Sequence, residues 1–225
     1  MIDLLDSTLA AAASPGGFKS IFGFFQKGGV FMIPLLITSV AGLMAVIFKA
    51  LSLTAARVVP PALARDVANF ETHLAKGTAD PILREFQEGK SALARLGAVA
   101  VKHSGQPHPR VTAAVEAAAR EETVHLHSGI GVLDVVITIA PLLGLVGTAS
   151  GLVVIFEGLG DMSDHLVITR GIAEALSTTI FGIAIAVPAV IAHVFFSRKI
   201  EKLTARLEGL LSELAHVVSK PGTHN

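Results

Sequence analysis

Three stretches of the chain stay apolar for longer than the core helix of a globular protein requires, and the segments between and after them mix apolar and polar residues with a helical period. Residues 29–50 (GVFMIPLLITSVAGLMAVIFKA) carry no charge before Lys49. Residues 132–156 contain one acid, Asp134, and residues 171–196 contain one, Glu174. About 20 apolar residues suffice to cross a bilayer as a helix, so each stretch predicts a transmembrane helix. Pro34 stands near the start of the first, where a missing backbone donor costs least, and Pro188 predicts a kink in the third.

Residues 51–131 are different in kind: polar, Ala-rich and charged. Proline and glycine punctuate them. Pro60 and Pro61 precede ALARDVANFETHLAKG. Asp80 as an N-cap, with Pro81 at the first helical position, opens PILREFQEGKSALARLGAVAVKH, and Gly105, Pro107 and Pro109 precede VTAAVEAAAREETVHLHSG. The composition favours helix. These signals predict a soluble helical domain inserted between the first two spans, its last helix running on into the second. Phe18, Ile21, Phe22 and Phe25 fall at helical spacing in residues 18–26 and predict a short interfacial helix. Beyond the third span, Ile200, Leu203, Leu207, Leu210, Leu214 and Val217 recur at threes and fours among Lys, Arg and Glu. They predict an amphipathic helix that packs on the inserted domain or on copies of itself.

The fold class that follows is all-α: an integral membrane protein with three transmembrane helices (29–50, 132–156 and 171–196). An amino-terminal segment (1–28) precedes them, the helical domain (51–131) lies between the first two, a loop (157–170) joins the last two, and a C-terminal helix and tail (197–225) complete the chain. Composition agrees, with 52% hydrophobic and 16% charged residues and a mean hydropathy of +0.65. The 18 Lys and Arg cancel the 18 Asp and Glu, so charge gives no argument for nucleic acid as a partner. With no Cys, disulfides and thiol catalysis are excluded. Asp3 and Asp6 precede the first base, Lys19, so the start does not read as a cleaved signal. Arg198, Lys199, Lys202 and Arg206 follow the third span, whereas residues 157–170 set Glu157, Asp161 and Asp164 against Arg170 alone. The positive-inside bias therefore places the amino terminus outside, and the inserted domain and tail in the cytoplasm.

Two faces carry the candidate chemistry. In the second span Ala140, Gly144, Thr148 and Gly151 recur at steps of four, four and three, with Gly147 beside them. In the third, Ala175, Thr179, Gly182, Ala186 and Ala189 share one face, and Leu176, Ile180, Ile183 and Val187 lie away from it. Small residues at this spacing suit close helix packing or the wall of a narrow polar lumen. Glu174, about a turn into an apolar span, is either a functional acid or one stabilised by the helix dipole, and it lies nearer Ser177 and Thr178 than Thr179. His103, His108, His125 and His127 lack the i, i+4 spacing of a helical zinc pair. The soluble part offers no phosphate-cradling glycine loop and no nucleophile–base pair, so an enzyme is not expected.

Residues 138–151 (TIAPLLGLVGTASG) and 171–189 (GIAEALSTTIFGIAIAVPA) resemble the signature of the MotA/TolQ/ExbB proton-channel family, and the three-span layout is similar to its ExbB and TolQ branches. The resemblance implies a homopentamer in the bacterial inner membrane, amino terminus periplasmic and carboxyl terminus cytoplasmic. Its second and third spans would surround single-span partners similar to ExbD or TolR, which carry a proton-bearing aspartate, and a TonB- or TolA-like protein would receive the work. It maps the pathway onto Thr148, Glu174 and Thr179, with Thr178 widening the ring of hydroxyls, and Gly144, Gly147, Gly151, Ala175, Gly182 and Ala186 as pore or packing positions. No cofactor is implied; the ion is H+, although Na+ suits a hydroxyl-lined path equally. The expected role is a stator subunit coupling the proton motive force to TonB-dependent outer-membrane transport. A TolQ-like envelope subunit and a non-conducting scaffold are the alternatives.

Overall fold

The structure, a computed structural model, describes residues 31–158 and 165–219. The predicted interfacial helix at 18–26 lies outside them. The described residues form α1 (Met32–Ser52), α2 (Ala55–Val58), α3 (Pro61–Ala68), α4 (Phe70–Ala75), α5 (Asp80–Glu88), α6 (Ala92–Lys102), α7 (His108–His127), α8 (Ile130–Gly158) and α9 (His165–Val218). Three of these are long and apolar enough to cross a membrane: Met32–Ser52, Ile130–Glu157 and Gly171–Val218. The chain is thus an all-α membrane protein. It divides into two compact units, one drawn from Met1–Met44 and Val132–Ile191, the other from Ala45–Gly131 and Ala192–Asn225.

In the first unit α1 packs through Met32 and Leu35 on Ala140 of α8, with Leu143, Phe181 and Ile185 around them. Gly42 lets α1 approach Val136, whose Cγ1 would lie 3.2 Å from any Cβ placed there. Large side chains elsewhere on the spans point outward, as in Ile37, Val154 and Ile180, and apolar surface of this kind is what lipid solvates.

In the second unit α5 packs on α6 and α6 on α7. The rings of Phe70 and Phe86 lie 6.2 Å apart, and Phe86 sits over Gly97, where a side chain would collide with the ring. Arg95 forks onto Glu122 of α7, its Nε donating over 3.2 Å.

The helices break in places the sequence pattern passed over. Residues 81–103 form two helices, because Ser91 caps α6, its Oγ accepting from Ala94 N at 3.2 Å. Residues 62–77 divide at Asn69, whose Nδ2 donates to Arg65 O at 2.9 Å. Asp80 is the first helical residue of α5 and not its cap; Ala79 holds the cap position and Pro81 follows in the first turn.

The last helix of the inserted domain does not run into the second span. Gly129 adopts φ +85, left-handed backbone that few residues other than glycine enter, and Ser128 N closes α7 by donating to Val124 O and His125 O. Lys49, 3% exposed near the end of α1, donates from Nζ to Leu126 O and, at 2.8 Å, to Ser128 O. The ammonium thus satisfies carbonyls that the break leaves unbonded. Lys49→Met is expected to lower stability by about 2–3 kcal/mol, since it strips two charge-assisted, partly buried bonds from the carbonyls of Leu126 and Ser128. Thermal unfolding in detergent would show it, with Lys49→Arg less affected.

The third span and the amphipathic helix are one element. Helix α9 continues unbroken through Pro188 to Val218. Its buried stripe runs Ile200, Leu203, Leu207, Leu211, Leu214 and Val218. Leu211 and Val218 replace the expected Leu210 and Val217, because a straight helix advances 3.6 residues per turn and a strict heptad drifts off its face. The helix end is fastened by Gly105 N donating to Val218 O at 3.2 Å and by His108 Nδ1 within 3.3 Å of Ser219 Oγ.

Candidate functional site

The small faces of α8 and α9 meet each other within one protomer. A Cβ on Gly144 would stand 2.8 Å from Thr178 O and 2.9 Å from Thr179 Cα; one on Gly182 would stand 2.5 Å from Ala140 O and 3.3 Å from Gly144 Cα. Gly147 accommodates Thr178, whose Oγ1 would lie 2.7 Å from a Cβ there, and Gly151 faces Ala175 Cβ at 2.7 Å. Ala175 and Ala186 are buried on the same side. Backbone therefore touches backbone along this seam, which only residues without side chains allow.

Close approach brings the hydroxyls together. Thr148 Oγ1 lies 3.1 Å from both Gly144 O and Ala175 O, 3.4 Å from Thr178 Oγ1, and in direct contact with Thr179 Oγ1. Thr178 Oγ1 can donate to Ala175 O at 2.8 Å or Gly144 O at 3.0 Å, and Thr179 Oγ1 to Gly144 O at 3.0 Å. Five oxygens from two helices thus form one cluster. Thr178 is 2% exposed, whereas Thr148 and Thr179 are half-buried and keep part of their surface open.

Glu174 stands one turn before Thr178, half-buried, and makes no bond to the cluster. The structure therefore unites Thr148, Thr178 and Thr179 and leaves Glu174 beside them. The two carbonyls that organise the cluster, Gly144 O and Ala175 O, have no sequence signature, since every residue carries a carbonyl; a glycine opposite a threonine pair is the nearest signal. Among the described residues no group of three or more His, Asp or Glu is arranged to hold a metal ion. His103 Nδ1 lies 2.9 Å from Val99 O and His127 Nδ1 2.9 Å from Thr123 O, each one turn back on its own helix.

Nothing in the cluster ionises near neutral pH, so it suits orienting water or solvating a charged group better than bond-making chemistry. Three spans, a helical insertion and a hydroxyl cluster between the last two spans define a class of membrane protein built around polar contacts inside the bilayer. The chain belongs to the MotA/TolQ/ExbB proton channel family, whose model matches residues 79–209, more than half of the chain and all of the cluster. Among curated proteins it is 29% identical over 171 residues to a putative biopolymer transport protein ExbB homolog of Methanothermobacter thermautotrophicus, covering 76% of this chain and 60% of that protein. It is 32% identical over 170 residues to the putative biopolymer transport protein ExbB-like 1 of Synechocystis, covering 72% and 65%. The Tol-Pal system protein TolQ of Pseudomonas aeruginosa is 33% identical over 112 residues, covering 49% and 48%. The match spans less than two thirds of each relative's length.

Proposed function

We propose that this chain is the channel-forming subunit of an ExbB-like inner-membrane motor, in which five copies surround single-span partners. Protons would move between the Thr148–Thr179 face and a carboxylate on the partner helix. Movement of that helix would drive a TonB-like protein and so outer-membrane transport. The observation that carries this proposal is the cluster of Thr148, Thr178 and Thr179 on Gly144 O and Ala175 O, inside the segment matched by the family model. Hydroxyls placed in an apolar span lower the cost of bringing a carboxylate past them, and they do so without binding the proton themselves. No cofactor is needed for such a role. The orientation proposed is amino terminus periplasmic, with residues 51–131 and the carboxyl terminus cytoplasmic.

Reconstitution with an ExbD-like partner in liposomes under a proton gradient tests this directly. Internal acidification above the protein-free leak is the expected result, and acidification no faster than that leak would reject it. A sodium gradient in the same vesicles reads the ion, because the same oxygens suit either. The TolQ relative supports a second reading, a subunit of an envelope-integrity system. Complementation separates the two: growth restored to a strain defective in TonB-dependent uptake favours the first, and restored detergent resistance in a tolQ-deficient strain favours the second.

A further inference from the structure

Donor and acceptor counting around the threonine cluster assigns Thr178 a role distinct from lining the path. Gly144 O and Ala175 O sit inside α8 and α9, so one lone pair of each accepts the helical N–H four residues on. One lone pair of each remains, against three hydroxyl protons. Thr178 is 2% exposed, and its hydroxyl finds its shortest bond at Ala175 O, 2.8 Å away. It occupies that acceptor. Thr148 and Thr179 then share the single place left on Gly144 O, 3.1 and 3.0 Å away. One of them donates there. The other has only hydroxyl oxygens to donate to: its neighbour's, with which it is in contact, and for Thr148 also that of Thr178, 3.4 Å away.

A proton held on a neighbouring hydroxyl is the one most cheaply redirected, because turning it outward breaks no bond to a carbonyl. We propose that Thr178 is a positioning residue that keeps one hydroxyl proton of the Thr148–Thr179 pair available to an anionic acceptor outside the protomer, and so sets the pH range over which the path carries protons. This rests on the proposal that a partner carboxylate passes that pair. Without the Thr178 hydroxyl, Thr148 can reach Ala175 O at 3.1 Å, and both protons of the pair settle on carbonyls. Donation to a carboxylate favours its charged form. Wild type should therefore protonate the carboxylate at lower pH than a variant lacking the hydroxyl. The other charges on the packed helices are the same in wild type and variants, so they cancel in the comparison: α1 has none before Lys49 and α8 none between Asp134 and Glu157, while α9 carries Glu174 one turn before Thr178, Arg170 about two turns and His165 between three and four turns before it, and His193 about four turns beyond.

Thr178→Val preserves shape and removes the hydroxyl; Thr178→Ser keeps it. In liposomes with the partner, the midpoint of the pH profile of proton flux is expected to rise by about one unit in Thr178→Val, the worth of roughly one hydrogen bond to a carboxylate, and to return toward wild type in Thr178→Ser. Equal midpoints in all three, or the same shift in both variants, overturn the assignment. Absence of flux in wild type rejects the channel proposal, and this one with it. A second measurement needs no partner. With an isotope label on the Ala175 carbonyl, the infrared band should keep its hydrogen-bonded position in Thr178→Val, because Thr148 replaces Thr178; a band moved toward the position of a carbonyl bonded only along the helix refutes the exchange.

Discussion

Replacing Thr148 and Thr179 together with valine should leave a folded, membrane-inserted protein whose proton flux in liposomes falls to the protein-free leak. Valine keeps the volume and branching of threonine, so the seam between α8 and α9 can close as before. Thr178 still donates to Ala175 O, Gly144 O keeps its helical N–H, and each lost hydroxyl bond costs only about 1 kcal/mol. Flux suffers far more, because methyl groups at these half-buried positions leave a carboxylate or a water with nothing to bond. An apolar constriction resists wetting. The check is a pair of measurements on one preparation, thermal unfolding in detergent and dye-reported acidification with the partner present. Normal unfolding with absent acidification is the expected pair; undiminished acidification would remove these threonines from the path.

Gly182→Ala is expected to destabilise the pair of spans that holds the hydroxyls. An added methyl would stand 2.5 Å from Ala140 O, and a carbonyl fixed inside a helix cannot retreat as a side-chain tip does. Gly182→Ala must push α8 and α9 apart and loosen the hydroxyl cluster one turn away. A cost of about 1–3 kcal/mol follows, at the upper end because both neighbours are backbone. Gly209 is the control, lying on the same helix with nothing within 4 Å of its added methyl. There Gly209→Ala should stabilise by up to about 1 kcal/mol, through helix propensity alone. Melting temperatures moving in opposite directions in the two variants would show that the contact is responsible; a neutral Gly182→Ala would mean that the helices do not meet so closely.

Much of this arrangement is legible in the chain. The three spans announce themselves by length and lack of charge, and the helical period places Thr148 and Thr179 on small-residue faces. Whether those faces meet each other or line a space cannot be read from one helix at a time, since both uses ask for small residues. The structure brings the faces together inside the protomer, and only the half-buried pair keeps an open side. By the resemblance, Thr178 stands in the ring of hydroxyls beside Thr179. Its burial against Gly147 depends on the crossing of two helices, which no spacing in α9 encodes. Lys49 reads as the end of an apolar run, and its partners, Leu126 O and Ser128 O, are backbone atoms far along the chain. The joint at Gly129 is hidden for a related reason: Ser-Gly between a charged, alanine-rich helix and an apolar span marks a break only once left-handed backbone is seen there.

The glycine seam also separates the two units in their response to temperature. Where Gly144 and Gly182 meet, little apolar side chain is covered, and in hydrocarbon no water is released. Opening that contact should therefore carry almost no heat-capacity change. The packing of Phe70, Phe86, Leu93 and Val111 in the other unit excludes water from apolar surface, and such contacts weaken on cooling and strengthen toward moderate warmth. Cold should thus loosen the helical domain while the span pair that holds the hydroxyls keeps its grip.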